Sequence, residues 1–459
     1  MKTFFLLGCV LSFVALENST PSKSSGLGDW VEQSISADPT IAAAAQAHLR
    51  DAGPAGLSLL FERYAQQIAA HKAGASSYPQ WKRIAAALDK VGGQHDNYAS
   101  GLFWYTDLEK AKAAARVSGR PILSLRLLGR LDEDLSCANS RFFRTTLYPS
   151  AEINELLRER YILHWESVRP APRVTIDFGD GRKLERTITG NSIHYILDAD
   201  GQVVDALPGL YGAPAFANEL RLVTDAMRQP GSTRAAYLSA TRKRLLQAWA
   251  ADLAAVQATA PRGTSNENAL ESRTDEATWR RIAQLHEKDV SFDAGASELM
   301  ARKFPTAQVA APLAVSKSLV ETPMLRGFAN LKDAGSSPTE SAPAAFFPTA
   351  ATAAPLAVTK RAVEAPMIGT LVGGPSRVDW ARIATLRQTV AMDTVQNNYM
   401  RRTRILGFIA GPAAQRTLSL ADINNWVYGQ VFLTPREDPW LGLAPPDVFS
   451  AIEGDGRSN

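Results

Sequence analysis

The sequence predicts an α/β central domain, residues 99–228, flanked by mostly helical N- and C-terminal regions. Within those residues helical and strand patterns alternate, which favours a central sheet with helices packed on it. Residues 39–91 are instead alanine-rich, with apolar residues at helical spacing. From Ser232 the chain returns to helical patterns. The apolar stripe of its longest predicted helix consists of Leu238, Leu245, Trp249, Leu253 and Val256.

The composition limits the classes of function. A chain of 459 residues with 45% hydrophobic residues is long enough for two to four domains with sizeable cores. Its net charge of +4 is too balanced to predict nucleic acid as a main partner. Two cysteines exclude a disulfide framework, and they lie too far apart for a short metal-ligand motif. We find no Gly-rich phosphate loop, so no cofactor is predicted.

The N-terminus has the layout of a secretory signal. A positive start and a short apolar stretch make up residues 1–16, and a polar linker, predicted to be disordered, follows over residues 17–30. We therefore expect export to the periplasm or cell envelope. The "LLGC" ending at Cys9 is similar to a bacterial lipobox, and acylation there would attach the protein to a membrane through its N-terminus only. A misplaced start or a buried N-terminal helix remain alternatives.

The flanking regions are predicted to be helical over residues 31–98, 229–300 and 376–459. Three helices are expected between Pro39 and Val91. Residues 301–375 are Ala/Pro-rich and contain a duplication at an offset of 43 residues, but two copies are too few for a solenoid. The pattern W-x-R-I-A recurs near three helix starts, where the tryptophan could anchor its helix to a shared core. These tryptophans are Trp81, Trp279 and Trp380.

The central domain offers clear local signals. A capping box of Thr106 and Glu109 predicts the start of its first helix, and Gly119 predicts the end. The other predicted elements are the strands "PILSLRLL" and "YILHWESV", the helix "SAEINELLRERY", a hairpin over 174–189 turning at "GDG", a hairpin turning at Asp200-Gly201, and a closing helix with Pro214 in its first turn.

A sequence resemblance covers much of this domain. Its order is "WYTDLEKA" from Trp104, then Gly119-Arg120-Pro121, a strand, Cys137 at a helix start, and "ILDADGQVV". This order resembles the thioredoxin-like superfamily, in its exported bacterial branch. The resemblance implies an α/β thioredoxin-like central domain with mostly helical N- and C-terminal regions. It also places Cys137 at the first cysteine of the family's CxxC motif.

The departures from the family pattern affect the expected chemistry. Ser140 stands where the second, resolving cysteine would be, giving CxxS. Ser192 stands at the position of the family's cis-proline, opposite the thiol, so a trans peptide bond is expected there. The 174–189 hairpin replaces much of a crossover helix and could cover or remodel the groove beside the thiol.

Neighbouring groups are expected to shift the pKa of the Cys137 thiol in opposite directions. A helix N-terminus lowers a cysteine pKa from about 8.5, whereas the acidic residues 132–134 would raise it. Arg141 and Arg144 oppose those acids, so no strong activation is expected. A single thiol can attack a disulfide but cannot resolve its own mixed disulfide.

Two functions follow as hypotheses. The first is a non-catalytic binding or scaffold module of the cell envelope with a protein partner. The alternative is a monothiol thiol–disulfide exchange enzyme that uses Cys137, with Ser140 beside it, on a substrate thiol. A buried Cys137 or a filled groove favours the module, and an accessible thiol favours the enzyme.

Two further constellations carry weaker signals. His164 and Glu166 lie on one face of a strand as potential metal ligands, but no third ligand is apparent. Asp198 and Asp200 are interpreted as turn residues rather than as a catalytic carboxylate pair.

Overall fold

The computed structural model describes residues 26–73, 80–177, 179–187, 191–231, 233–257, 266–290, 388, 390–411 and 418–434. The predicted signal peptide with Cys9, the duplicated segment 301–375 and Trp380 lie outside these residues. The predicted linker 17–30 overlaps the first helix, which already begins at Leu27, so its C-terminal boundary is wrong.

Within the described residues, six helices precede the central sheet. In chain order α1 to α6 are Leu27–Gln33, Pro39–Asp51, Pro54–Arg63, Ala65–Ala73, Trp81–Gly92 and Asn97–Ser100. The middle one of the three predicted helices is two helices, because the chain breaks between α3 and α4 at Tyr64, where φ is −107°. The Tyr64 ring is buried in a separate N-terminal core, and its hydroxyl donates to the Val31 carbonyl at 3.2 Å. The helix is therefore interrupted at the residue whose side chain is buried in this core.

Seven strands follow in the part of the chain that the structure describes. In chain order β1 to β7 are Trp104–Tyr105, Ile122–Leu128, Ile162–Arg169, Arg173–Asp177, Lys183–Thr187, Ser192–Leu197 and Val203–Pro208. Five of them form one mixed sheet in the order β1-β3-β2-β6-β7. The neighbours β1, β3 and β2 are parallel, whereas β6 is antiparallel to both β2 and β7. The predicted α/β central domain is thus confirmed at the level of a mixed sheet with helices.

The β4–β5 hairpin turns at the predicted "GDG" and forms a two-stranded sheet of its own. Four helices belong to the central domain, α7 to α10, at Leu108–Ser118, Ala138–Phe142, Ala151–Arg160 and Ala213–Arg228. The predicted capping box at Thr106 is wrong by one residue. Asp107 is the cap, and its carboxylate accepts from the amides of Glu109 (2.8 Å) and Lys110 (3.2 Å). Gly119 ends the helix in left-handed geometry, as predicted.

The secondary-structure elements described in the C-terminal region are all helical. Helices α11 to α13 are Arg234–Val256, Glu267–Arg273 and Glu276–Leu285, followed by a short 3₁₀ turn at Glu287–Val290. A helix over 390–410 contains a π-helical turn, Asn397–Arg402, and ends in α14, Thr403–Ala410. Helix α15, Leu420–Trp426, continues into the π-helical turn Val427–Val431. Within the described ranges, every helix is too short or too polar to span a bilayer.

The expectation that the repeated tryptophans share one core is wrong. Trp81 packs against the N-terminal core formed by α1 to α5, which is distinct from the core around the sheet. Trp279 is buried in the main core, where its ring centroid lies 5.3 Å from that of Trp249 on α11. The same local pattern therefore anchors helices to two different cores.

A buried charge cluster joins the sheet to the C-terminal region. Arg402 and Asp205 are both fully buried, and the guanidinium binds the carboxylate twice, at 2.6 and 3.0 Å. Arg402 also reaches Glu219 on α10 at 2.8 Å, and Arg244 on α11 reaches the same carboxylate at 2.7 Å. Burial alone would raise the pKa of Glu219, but the two guanidinium groups lower it below its ordinary value. Strand β7, α10, α11 and the helix over 390–410 are thereby fixed to one another.

The cluster gives a stability prediction. Replacing Arg402 with Met should lower the free energy of unfolding by about 3–5 kcal/mol, since it leaves two carboxylates buried without their main cation. The control is Arg280→Met, because Arg280 pairs with Glu276 on an exposed helix surface and should lose less than about 1 kcal/mol. Urea denaturation followed by circular dichroism measures both variants. Equal stability of the two variants would contradict the role assigned to Arg402.

Candidate functional site

Cys137 lies where the chain passes from the sheet into a helix. It is the N-cap residue of α8, and its amide donates to the Leu128 carbonyl at the end of β2 at 3.2 Å. Its own carbonyl accepts from the Arg141 amide at 3.2 Å. The predicted position of Cys137 at a helix start is therefore confirmed.

The residues predicted to surround the thiol meet there. The Ser140 hydroxyl lies 2.6 Å from Ser136 Oγ and 2.8 Å from the Cys137 carbonyl oxygen. Ser192, at the start of β6, accepts a hydrogen bond from the Asn139 side-chain amide at 2.9 Å, so it faces the first turn of α8. The peptide bond before Ser192 is trans, as expected, since the described part of the chain has no cis bond.

The thiol has no access to solvent. The exposed fraction of Cys137 is 0%, and Ser136, Asn139 and Ser140 are equally buried. Burial raises the pKa of Tyr148 well above its ordinary value, and the nearby Cys137 raises it further. The predicted site is therefore a closed, densely packed region rather than an open groove.

The β4–β5 hairpin supplies one part of the cover. Thr187, the last residue of β5, is fully buried, and its hydroxyl donates to the Ser136 carbonyl at 3.1 Å. The same hydroxyl accepts from the Arg141 guanidinium at 2.7 Å. The hairpin thus reaches the residue directly before Cys137, which agrees with the expectation that it covers this side.

A second cover, formed by residues 418–434, comes from the end of the described chain. The Tyr428 hydroxyl lies 3.2 Å from the Asn191 carbonyl and 3.4 Å from the Arg126 carbonyl, beside β6 and β2. Thr434 accepts from the Asn191 side chain at 3.3 Å. Burial raises the pKa of Tyr428 well above its ordinary value, and the proximity of Cys137 raises it further. We call residues 418–434 the C-terminal cover.

The helical character of the C-terminal cover was predicted with the region 376–459, but its position beside Cys137 was not. Its apolar residues Leu420, Ile423 and Val427 recur at helical spacing and are buried, so a packed helix was recognisable. That spacing does not indicate the surface on which the helix packs.

The charges near the thiol form ion pairs with one another. Asp132 pairs with Arg130 at 2.7 Å, and Asp134 pairs with the fully buried Arg144 at 3.3 Å. Arg144 also donates to Ser136 Oγ at 2.8 Å and pairs with Asp96 at 3.0 Å. Arg144 opposes Asp134 as expected, and its pair with Asp96 fixes the loop before α8 to the N-terminal region. The Arg141 guanidinium instead donates to Thr187.

The weaker candidates have structural roles. His164 is buried, its Nδ1 lies 2.9 Å from Ser124 Oγ, and Glu166 pairs with Arg126. Among the described residues no three or more His, Cys, Asp and Glu side chains form a group that could hold a metal ion. The Asp198 carboxylate accepts from the amides of Asp200 (3.0 Å) and Gln202 (2.8 Å), which is turn chemistry.

Comparison of this chain with protein-family models, with curated proteins and with solved structures finds no match.

Two buried histidines in the sheet give a pH prediction. Burial lowers the pKa of both His164 and His194 to about 3. Because this is below the unfolded value of about 6.5, their contribution to stability is complete above pH 6.5 and is lost as the pH falls toward 3. In His164→Asn, which cannot titrate, unfolding free energy should fall by up to about 2 kcal/mol less between pH 7 and 5 than in wild type.

Urea titrations at the two pH values measure this difference. The control is Ser272→Asn on the exposed surface of α12, which changes no titratable group and should keep the wild-type pH dependence. An unchanged pH dependence in His164→Asn would contradict the burial of a neutral imidazole at that position.

Proposed function

We propose that the central unit is a thioredoxin-like domain that serves as a non-catalytic binding or scaffold module. Three observations support the fold part of the proposal. A mixed sheet with flanking helices is what the sequence resemblance implies. Cys137 begins the helix after β2, and Ser192 faces that helix from the start of β6.

The complete burial of Cys137 carries the non-catalytic part. Thiol–disulfide exchange requires the thiolate to reach a substrate sulfur, so a thiol with 0% exposure cannot react while the covers are in place. The covers come from two separate parts of the chain, at Thr187 and Tyr428. Ser140 adds no second thiol, and its hydroxyl is engaged by neighbouring atoms.

The N-terminal residues extend the proposal to location. The signal-like start and Cys9 favour an exported protein of the periplasm or cell envelope whose partner is another protein. Recovery of intact Met1 in the cytosol of a Gram-negative host would contradict the proposed export.

An insulin-reduction assay distinguishes the module from the alternative, a monothiol exchange enzyme. With dithiothreitol as reductant, the full-length wild type should reduce insulin no faster than Cys137→Ser, because the thiol is covered. No partner should be held to the wild type by a mixed disulfide on non-reducing electrophoresis. Faster reduction by the wild type, or a covalent complex lost in Cys137→Ser, would establish the enzyme instead.

Ser140→Cys in a Cys9→Ser background tests the fold separately. Two cysteines three residues apart at the start of a helix can form a disulfide only with the placement that the resemblance implies. Mild oxidation with oxidised glutathione, which takes up the two electrons, should form an intramolecular disulfide, and mass spectrometry detects it as the loss of two hydrogen atoms. A variant that stays reduced even after its covers are loosened in moderate urea would contradict the thioredoxin-like assignment.

A further inference from the structure

A cavity of about 310 Å³ lies between the N-terminal helices and the central domain, away from Cys137. Leu57 and Phe61 of α3 form one wall, and Leu157 of α9 with Ile162 of β3 forms the other. Phe103, just before β1, also lines it. The walls are thus mostly apolar. The volume is at the lower end of the range typical of small-molecule sites.

The charged residues that line this cavity all have the same sign. They are Arg120 and Arg158, and no carboxylate lines it. The Arg158 guanidinium donates to the Ser100 carbonyl and to the Asn154 side-chain oxygen, each at 2.7 Å. Arg120 donates to the Arg158 carbonyl at 2.7 Å. Among the described residues neither arginine forms an ion pair, and the acceptors of both are neutral.

The neighbouring hollow differs in its charge. It measures about 570 Å³ and shares Phe61 and Arg158 with the cavity, but Lys72, Glu155 and Glu159 also line it, so both signs are present. Burial lowers the pKa of Arg158, as expected for a cation that is partly desolvated without a carboxylate partner. Of the two hollows, only the apolar cavity is lined by charges of a single sign.

We propose that this cavity binds a small carboxylate with an apolar body, with its carboxylate against Arg158 and Arg120 and its body between Leu57, Phe61 and Leu157. The planar carboxylate matches the geometry of a guanidinium group. Because both arginines already donate to neutral acceptors, a ligand with a single negative charge is expected. A cavity of 310 Å³ holds about ten atoms of the size of water, which matches an eight-carbon acid. The proposal does not depend on the function proposed for the central unit.

Isothermal titration calorimetry of the full-length protein tests it, with sodium octanoate as the probe. We expect one site per chain. 1-Octanol should bind at least about tenfold more weakly than octanoate, because a hydrogen bond between charged groups is lost. Inorganic phosphate should not compete, since it cannot fill the apolar walls. Absence of octanoate binding, or equal binding of octanol, would overturn the proposal.

The variants locate the site. Arg158→Gln and Arg120→Gln should each weaken octanoate binding by about tenfold. Ser58→Trp, at an exposed lining position on α3, should block the cavity while retaining the wild-type circular dichroism spectrum. Arg280→Gln, on the exposed surface of α13, is the matched control and should bind as the wild type does. If Ser58→Trp does not fold, the two arginine variants decide, and unchanged binding in both would overturn the proposal.

Discussion

The fully buried ion pair between Asp205 and Arg402 constrains the whole arrangement of the described chain. Neither charge can remain in the interior without the other, because the desolvation of a buried ion is costly unless it is paired and hydrogen-bonded. The helix over 390–410 must therefore dock on β7. Glu219 and Tyr237 join the same cluster, the latter with its hydroxyl 2.5 Å from Asp205, so α10 and α11 are held there as well.

This docking has a consequence for the thiol region. The C-terminal cover begins only seven residues after Gly411 and lies across the ends of β2 and β6, next to Cys137. A fold that leaves this edge of the sheet open would expose the thiol. Here the same chain fills it, with Tyr428 at the Asn191 carbonyl and Thr187 at the Ser136 carbonyl. The chemistry of Cys137 is thus limited by packing rather than by its position at a helix start.

Local signals in the sequence predict most of the elements of the central domain. Periodicity and turn residues predict strands β2 and β3, helix α9 and the two hairpins. Each predicted element lies within a few positions of the observed one. The errors arise where neighbouring signals compete, as at Asp107, or where burial decides, as at Tyr64. The closure of the candidate site could not be predicted, because Tyr428 is 291 positions from Cys137 and no local pattern encodes that contact.

The rate at which the native protein reacts with a small thiol reagent tests the central claim most directly. In a Cys9→Ser background, Cys137 should react at least about 100-fold more slowly than in the unfolded chain, because labelling requires local opening. Tyr428→Ala should speed the reaction markedly, whereas Trp30→Ala, beside the N-terminal core, should not. Labelling of the native wild type at the unfolded rate would contradict the account, since it would place Cys137 at an open surface.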